Sequence, residues 1–558
     1  MPTRDRDLIS LLETQVTRYS DSTLYTFLNK DISSVANLTY VNVYERAIVI
    51  AAALQQRGLQ KSPVALLYPH GPDFIVAFLA AILAGAWPMP LTRPRGQEWS
   101  SVFHTVVISG ADTVLTLSRT KKMIPETLLV ASKVQVMCTD TSELPCDVQR
   151  WQRPDVQLHD IAFIQYTSGS TSRPRGVIVT HENVLHNSAS IKHSFGCSAQ
   201  EVCVSWLPFH HDMGLIGHII QPLYAGMPNY FLSPADFLGD PQRWLSAISR
   251  YRGTISGAPN FAYALCAERN HSPDIENNLD LSSWRLAYCG SERIVSAVLK
   301  RFARVFRKAS FNESAFFPCY GMAESTLFVC GQHELSSPQD GPYPAVGAVT
   351  DNDSIAIVDP ATLDRLPEGE TGEVWIKSSS VSPGYFRDPK ATREIFHQNL
   401  NGITGYMRTS DIGFIRDNAL YFVGRLKNLI KRRGRSFHAE DIEERVESAL
   451  IERGIKRCAA FAIAGNEEDA LVLLLEHDGS TCESLLTTVP EDARALVCDA
   501  LGIVPEFVHI VPKRSLPLTT SGKLQRAICR DHFLQSRQTL INEREFAQAD
   551  RELLHASK

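Results

Sequence analysis

The segment with the clearest chemical pattern is Tyr166–Val177, YTSGSTSRPRGV. Small glycine, serine and threonine side chains let the backbone N–H groups of such a loop surround phosphate oxygens, and the hydroxyls add donors. Arg173 and Arg175 supply positive charge for a triphosphate. No GKS or GKT follows, so this is not a Walker loop. A surface turn is the alternative, but the strand-like IAFIQ before it favours phosphate binding. The candidate residues are Thr167, Ser168, Gly169, Ser170 and Thr171.

Other polar segments follow at intervals along the chain. Ser205–Gly217, SWLPFHHDMGLIG, places two histidines beside an aspartate, but a metal site normally needs a third or fourth ligand placed by the fold. Tyr320–Ser325, YGMAES, offers the carboxylate of Glu324, which would repel a triphosphate unless a cation lay between them. An isolated aspartate such as Asp411 is more often a cap or turn residue, and a lysine near a C-terminus, such as Lys523, is usually exposed. Each of these segments is a weak signal alone, and the prediction rests on the order in which they follow one another along the chain.

In that order, the segments resemble the adenylate-forming superfamily, which includes acyl-CoA synthetases, adenylation domains of peptide synthetases, luciferases and fatty acyl-AMP ligases. The resemblance covers nearly the whole chain. It implies that Tyr320 stacks on adenine, with Gly321 and Met322 beside it, and that Glu324 holds Mg²⁺ together with Thr167. The residues implied to line the adenine edge are Gly290, Ser291 and Glu292.

The same resemblance implies roles for residues elsewhere in the chain. Asp411 would accept hydrogen bonds from both ribose hydroxyls, and Arg425 would bind ribose or phosphate. His211 would face the reacting carboxylate, with a structural core histidine as the alternative. Lys427 would mark the hinge between two domains. Lys523, in PLTTSGKLQR, is the candidate catalytic lysine.

The implied reaction is attack of a substrate carboxylate on the α-phosphorus of ATP, with release of pyrophosphate. Mg²⁺ and two cationic side chains would stabilise the charge that shifts during this displacement. ATP and Mg²⁺ are therefore the expected cofactors, and the catalytic candidates are Lys523, Glu324, His211 and Arg175. The sequence departs from the family at Arg175, where lysine is usual and the charge is kept with a different geometry, and at Ser410, where glycine is usual.

Several segments are similar to the fatty acyl-AMP ligase branch, among them SPADFLGDPQRWL and SGAPNFAYAL. That branch implies a fatty acid substrate and acyl transfer to the phosphopantetheine thiol of an acyl carrier protein. An apolar acyl pocket would draw on Trp206, Met213 and Phe261, each also compatible with an ordinary core. Only Cys330–Gly347 follows the adenine motif, where the branch has a substantial insertion. An acyl-CoA synthetase that uses CoA therefore stays an alternative, as does a non-catalytic nucleotide- or acyl-binding relative.

The elements that must position these residues indicate α/β architecture. Short apolar runs such as Ile161–Tyr166 alternate with amphipathic segments such as Asp73–Ala84, which favours mainly parallel sheets. The segment after the phosphate loop, VIVTHENVLHN, is expected to turn helical. Closely spaced strands over about residues 350–425 indicate a β-rich subdomain. We expect a large N-terminal domain over residues 1–425 and a small mobile α+β domain over residues 426–558.

Bulk properties narrow the class of protein. The 558 residues have a net charge of −5, which does not indicate a nucleic-acid partner. The most apolar stretch, Phe74–Leu91, is broken by Gly85 and Pro88 and is too short to span a bilayer; a core helix leading into a strand is expected. The N-terminus lacks the apolar core of a signal peptide. The twelve cysteines form no CxxC pair, so a cytoplasmic protein with reduced thiols is expected.

Overall fold

The structure is a computed structural model of the chain. It describes residues 7–94, 99–140, 144, 148–167, 174–268, 279–333, 343–349, 354–432, 435–464, 469–479, 487–518 and 522–536. The chain divides into two units, the first of residues up to 167 together with 174–422, the second mainly of residues from 423 on. Each has a hydrophobic core of its own. The second unit starts at Val423, a few residues before the boundary suggested by the sequence, and its role as a mobile domain stays a prediction.

The largest sheet of the first unit has eight strands. In spatial order they are Phe328–Gly331, Phe316–Gly321, Leu286–Cys289, Ile255–Ala258, Cys203–Ser205, Asn229–Phe231, Thr23–Leu28 and Ser34–Thr39. The six strands between the two edges are parallel, and both edge strands pair antiparallel. Ile255–Ala258 and Leu286–Cys289 are buried along their whole length, as is usual for parallel strands covered on both faces. The predicted α/β class is confirmed.

A second sheet of four parallel strands comes from the first part of the chain. Its spatial order is Trp87–Pro90, Pro63–Leu66, Thr113–Thr116 and Gln135–Cys138. The helix Pro72–Leu83, which leads into the edge strand of this sheet, is buried from Phe74 to its end. The prediction of a core helix followed by a strand is confirmed for this apolar stretch.

An antiparallel hairpin flanks the predicted phosphate loop. The strand Ile161–Thr167 pairs with Arg175–Thr180. The expected turn to helix within VIVTHENVLHN is confirmed only from His181, because the β-branched run Val177–Val179 first pairs with the apolar strand opposite. The helix His181–Phe195 begins only after Thr180, whose side chain caps it by accepting the backbone N–H of Asn183 at 3.1 Å.

The closely spaced strands of the last part of the first unit form an antiparallel sheet. Its spatial order is Ala345–Ala348, Ala419–Arg425, Ile403–Arg416, Gly372–Ile376 and Ile355–Val358, with Gln398–Leu400 paired to the long strand. A β-rich region was expected here, and the sheet is what the structure shows.

The second unit combines a hairpin, a three-stranded sheet and helices. Its strands are Leu429–Arg432, Arg435–His438, Ile455–Ile463, Ala470–His477 and Phe507–Val511. Its helices are Ala439–Leu450, Val489–Leu501 and a helix over residues 526–536. Ile442, Val446 and Leu450 repeat at four-residue spacing and are all buried in the core of this unit, which is the helical face that their spacing predicts.

Further helices complete the described part of the first unit. They are Leu8–Tyr19, Tyr40–Gln56, Trp99–Ser109, Ser118–Lys121, Glu126–Ser132, Asp212–Leu215, Gln221–Ala225, Pro234–Gly239, Gln242–Tyr251, Asn260–Glu268, Ser296–Val305 and Pro389–Ile395, with a π-helical turn at Ile216–Ile220. None of the described helices combines the length and the apolar composition that a bilayer crossing requires. The ten cysteines within the described ranges are free thiols.

His218 predicts an acid-sensitive first unit. The side chain is 1% exposed, Nε2 contacts the Tyr288 hydroxyl and Nδ1 lies 3.7 Å from Cys203 Sγ. Burial lowers the pKa of His218 to about 3. Below about pH 6.5 this histidine therefore becomes protonated in the unfolded chain while it stays neutral in the folded protein. Stability is therefore complete above that pH and falls as the pH drops, by about 1.4 kcal/mol per pH unit for this group.

The measurement is urea unfolding of wild type and His218→Gln between about pH 7 and about pH 5. In the variant, the slope of the free energy of unfolding against pH is expected to be smaller, by the equivalent of about one proton taken up on unfolding. His193→Gln, at an exposed position, is the control. An unchanged pH dependence in His218→Gln would show that other groups cause the acid sensitivity.

Candidate functional site

Four neighbouring parallel strands of the eight-stranded sheet end at one edge, and predicted site residues follow each of them. Cys203–Ser205 leads to Trp206, Ile255–Ala258 to Phe261, Leu286–Cys289 to Gly290–Glu292, and Phe316–Gly321 to Met322 and Glu324. In open α/β sheets, ligands bind in the crevice outside the carboxyl ends of the strands. Sheet topology therefore gathers residues that are more than a hundred positions apart in sequence.

Two glycines allow a close approach of backbone at this edge. A Cβ on Gly321 would lie 1.8 Å from the carbonyl oxygen of Leu327, and a Cβ on Gly290 would lie 2.8 Å from both the carbonyl oxygen and Sγ of Cys319. Only glycine fits such contacts without movement of the backbone. The segment from Gly290 thus packs directly against the strand that contains Tyr320.

Tyr320 and Asp411, predicted to bind adenine and ribose, contact each other. The Tyr320 hydroxyl donates a hydrogen bond to Asp411 Oδ2 at 2.7 Å, and both side chains are buried. The ring of Phe422 stacks on that of Tyr320 with centroids 6.1 Å apart. The backbone N–H of Asp411 donates to Thr409 Oγ1 at 3.0 Å. An aromatic face and a carboxylate are thereby presented together, which is what recognition of a nucleoside requires.

A buried ion pair between the strand of Asp411 and its neighbour orients the irregular backbone before Asp411. Glu373 is 0% exposed and accepts hydrogen bonds from Arg408 Nη2 at 2.8 Å and Trp375 Nε1 at 3.0 Å. It also accepts the backbone N–H of Ser410 at 3.1 Å. Ser410 has φ +59°, a left-handed conformation that favours glycine, and the strand register shifts at this point. The pair therefore holds the irregular backbone that aims Asp411 at its partner.

A second cluster joins Glu324 to the hairpin. The Tyr385 hydroxyl donates to Glu324 Oε1 at 2.9 Å, and the Arg175 guanidinium carbon lies 5.1 Å from the centroid of the Tyr385 ring, a cation–π contact. Thr167 is the register partner of Arg175. Burial, and then the neighbouring Glu324 carboxylate, raise the pKa of Tyr385 above its usual range, so its hydroxyl stays a donor.

Sequence reasoning missed Tyr385. Its segment, PGYFRDP, has two prolines and a glycine and is typical of a turn. The sequence carries no signal for it, because the burial of this tyrosine, which is 7% exposed, is visible only in the structure. Tyr385 is 61 residues from Glu324, so only the fold brings the two side chains together.

Side chains of the helix His181–Phe195 fix the loop that contains Glu324. Asn187, 0% exposed, donates to the carbonyl of Phe328 at 2.8 Å and accepts its N–H at 3.2 Å. The N–H of Ser382 donates to the carbonyl oxygen of Glu324 at 2.9 Å. The backbone around Glu324 is thus held by hydrogen bonds from both Asn187 and Ser382.

The histidine segment lies against the strand that leads into the phosphate loop. Gln165 Nε2 donates to the carbonyl of His210 at 2.7 Å, and the rings of His210 and His211 have centroids 4.5 Å apart. His211 stands at the N-cap of the helix Asp212–Leu215. Burial lowers the pKa of His210 to about 4, so its imidazole is neutral at neutral pH. His211 therefore directly follows the residue whose carbonyl is bonded to Gln165 of the strand Ile161–Thr167, and its catalytic role stays a prediction.

The predicted acyl-pocket residues are mutually packed aromatic groups. Trp206, 4% exposed, stacks on Phe237 at 3.7 Å and meets the ring of Phe261 at 6.1 Å between centroids. The backbone N–H of Phe261 donates to Glu292 Oε1 at 2.7 Å, which joins this cluster to the segment predicted at the adenine edge. Met213 is half-buried and packs against the core. A solvent-shielded apolar region therefore adjoins the polar site.

Among the residues that the structure describes, three predicted site residues belong to the second unit. Arg425 ends the strand Ala419–Arg425, Lys427 lies in the 3₁₀ turn Leu426–Asn428, and Lys523 follows Gly522, which has φ +83°. Their roles toward a nucleotide stay predictions. The loop residues Ser168, Gly169, Ser170, Thr171 and Arg173 lie outside the described residues.

Comparison with known proteins gives a consistent picture. The family model described as AMP-binding enzyme matches residues 12–386. The chain is 33% identical over 569 residues to a medium-chain fatty acid–acyl carrier protein ligase of Moorena producens, covering 95% of each chain. It is 32% identical over 587 residues to a long-chain fatty acid–AMP ligase of Mycobacterium marinum, covering 96% of this chain and 98% of the relative. A fatty acyl-adenylate ligase from Legionella pneumophila, solved with acyl adenylate and pyrophosphate, superposes with a TM-score of 0.73 at 32% identity, covering 95% of this chain and 96% of that one.

Proposed function

Because the chain belongs to the AMP-binding enzyme family, we propose that it activates a fatty acid with ATP to an acyl-adenylate, releases pyrophosphate and transfers the acyl group to the phosphopantetheine thiol of an acyl carrier protein. The observation that supports this most directly is the buried contact between Tyr320 and Asp411, which assembles an aromatic face and a carboxylate at the carboxyl edge of a parallel sheet. A nucleoside offers the matching ring and hydroxyls.

The nucleotide would be held by both clusters at this edge. Tyr320 would stack on adenine beside the segment from Gly290, and Asp411 would accept the ribose hydroxyls. Arg175 would contact phosphate oxygens, with the backbone and hydroxyls of the loop that begins at Thr167 as further donors. Arg425 would bind ribose or phosphate from the second unit.

The residues present fit Mg²⁺. One oxygen of Glu324 accepts the Tyr385 hydroxyl at 2.9 Å, which orients the carboxylate and leaves its other oxygen for a cation. Mg²⁺ is usually bound through one or two carboxylates together with substrate phosphates, and Thr167 would add a hydroxyl oxygen. When bound, the cation neutralises charge on the phosphates.

The chain's own cations and histidine would act on the displacement itself. The Lys523 ammonium would contact the carboxylate oxygen and the α-phosphate as negative charge shifts between them. His211 would orient the attacking carboxylate, and the aromatic region of Trp206 and Phe261 would exclude water around the chain of the acid. The movement of a domain about Lys427, which would bring Lys523 to the reaction, is part of the same proposal.

A fatty acid and a carrier protein are proposed because relatives that match nearly the whole chain are named for them. CoA is the second acceptor to test, since the short segment Cys330–Gly347 stands where the ligase branch has its insertion. The reducing cytoplasm is the proposed compartment, consistent with the free thiols of the cysteines in the described ranges.

Pyrophosphate exchange tests the proposal. With Mg²⁺ and an acid from a series of chain lengths, the enzyme is expected to incorporate labelled pyrophosphate into ATP. Asp411→Ala is expected to raise the KM for ATP at least about tenfold, since it removes hydrogen bonds to a charged acceptor. Thioester formation is then compared between CoA and a phosphopantetheinylated carrier protein. Absence of exchange with every acid would reject adenylation, and efficient acyl-CoA formation would reject the carrier protein as the acceptor.

A further inference from the structure

A cluster of buried charges in the second unit stands next to Lys523 in the sequence. Arg526 begins the helix over residues 526–536, three residues after the lysine. Its Nε donates to Glu443 Oε1 at 2.7 Å, and its Nη2 donates to the other oxygen of the same carboxylate. Its Nη1 lies 3.1 Å from Glu440 Oε1. The side chain of Arg526 is 18% exposed, that of Glu443 8% and that of Glu440 15%.

The two carboxylates come from one face of the helix Ala439–Leu450, where residues three apart are neighbours. Glu443 also accepts the backbone N–H of Ala460 at 2.9 Å, from the adjacent strand. One turn further along, Glu447 accepts the N–H of Cys458 at 2.7 Å. The acidic face is therefore anchored to the sheet of the second unit, and the bidentate pair with Arg526 attaches the C-terminal helix to that anchor.

An ion pair with no purpose beyond stability is the simplest alternative. Three observations at the lysine favour a positioning role. The backbone N–H of Gln525 donates to the carbonyl of Pro517 at 3.0 Å, and Leu518 and Leu524 form an antiparallel bridge. Lys523 thus lies in the segment of residues 522–525, hereafter the Lys523 turn, whose backbone is bonded to Pro517 and Leu518. The turn leads directly into Arg526, whose planar fork fixes direction as well as distance.

The same cluster reaches the predicted hinge. Asn428 Nδ2 donates at 2.6 Å to Glu440 Oε1, the same oxygen that faces Arg526. Asn428 ends the 3₁₀ turn Leu426–Asn428, which contains Lys427. A continuous set of polar contacts therefore runs from the segment beside Lys427 through one glutamate to the residue that anchors the Lys523 turn.

We propose, on the premise of the proposed function that Lys523 acts in adenylation, that Arg526 is the positioning residue for Lys523. Held by Glu443 and Glu440, it fixes the turn that presents the ammonium and ties that turn to Asn428. The lysine and the hinge segment then move as one body. A positioning error of about 1 Å in a reacting group costs on the order of 10²-fold in rate.

Comparison of two half-reactions tests this role. Arg526→Met is expected to lower kcat of pyrophosphate exchange on the order of 10²-fold. Transfer from supplied acyl-adenylate to the carrier thiol needs no displacement at phosphorus and is expected to stay within about twofold. Arg526→Lys keeps the positive charge but not the planar guanidinium. Its kcat of pyrophosphate exchange is expected to lie between those of wild type and Arg526→Met. Arg530→Met is the matched control, because Arg530 is on the same helix with its side chain 49% exposed. Hydrogen exchange at the Gln525 amide is expected to accelerate in Arg526→Met alone.

Lys523→Ala separates failure of the premise from failure of the inference. If Lys523→Ala keeps full exchange activity, the proposed role of the lysine is wrong. If Lys523→Ala loses exchange and Arg526→Met keeps it, Arg526 is a structural residue only and the inference is overturned. If Arg526→Met melts the second unit, the decisive variant is Glu443→Gln with Arg526→Met, which leaves neither partner of the bidentate pair charged. A folded double variant without exchange activity supports the inference, and one with restored activity overturns it.

Discussion

Arg408→Met is expected to lower the free energy of unfolding of the first unit by about 3–5 kcal/mol, because it leaves the Glu373 carboxylate charged and without its cation in the interior. Glu373 is 0% exposed and Arg408 contributes two of its hydrogen bonds, at 2.8 and 3.0 Å. Methionine fills a similar volume, so the loss of packing is small and the change reports mainly on charge. Urea unfolding followed by fluorescence measures the difference.

Two controls make the Arg408 result specific. Adding Glu373→Gln to Arg408→Met is expected to recover most of the lost stability, since the buried charge is removed. Arg301→Met breaks an exposed pair with Glu268, 3.9 Å apart, and is expected to cost less than about 1 kcal/mol. Equal losses in Arg408→Met and Arg301→Met would contradict the view that this pair holds the backbone around Ser410.

The Arg408–Glu373 pair is also expected to affect ATP binding, because Glu373 is hydrogen-bonded to the backbone beside Asp411. Besides its bonds from Arg408 and Trp375, Glu373 accepts the N–H of Ser410, at φ +59°, one residue before Asp411. In Arg408→Met the carboxylate keeps this bond but is no longer held in place by the guanidinium, so the left-handed serine is less firmly anchored. The KM for ATP is then expected to rise together with the loss of stability.

The sequence predicted those parts of the fold that depend on local periodicity and on the order of short motifs. Ile442, Val446 and Leu450 share a face because a helix repeats every 3.6 residues, and no tertiary knowledge is needed to see it. The apolar run that ends beside Gly290 is visible for a different reason, because a short continuous apolar run is typical of a buried strand. The residues proposed to bind the ligand were indicated by short motifs that keep the order found in a family.

Features set by pairing between distant segments were not predictable. The strand Arg175–Thr180 depends on the strand across the phosphate loop, and its β-branched run continues into a helical pattern without a break in the sequence. Tyr385 and Arg408 act through partners 61 and 35 residues away. Their own segments have no chemical signature, because a turn tyrosine and a strand arginine are common on protein surfaces. These are the residues that orient the groups the motifs identify.

Glu324→Gln is expected to reduce pyrophosphate exchange on the order of 10²-fold or more, the usual loss when one preorganised electrostatic contact in a transition state is removed. The amide keeps the shape and accepts the Tyr385 hydroxyl as before, so the loop fixed by Asn187 has no reason to move. What is lost is the negative charge that Mg²⁺ requires from its protein ligand. Higher Mg²⁺ concentration is therefore expected to restore part of the activity.

Tyr385→Phe separates orientation of the carboxylate from its charge. It removes the hydrogen bond at 2.9 Å and keeps the ring on which Arg175 lies, so a smaller loss of about tenfold is expected. Calorimetric binding of a non-hydrolysable ATP analogue, with and without Mg²⁺, gives a readout independent of turnover. The metal-dependent gain in affinity should be lost in Glu324→Gln, reduced in Tyr385→Phe and unchanged in Glu394→Gln, at an exposed position. If all three variants kept the wild-type metal dependence, Mg²⁺ would have to be bound through the nucleotide alone, and Glu324 would lose its assigned role.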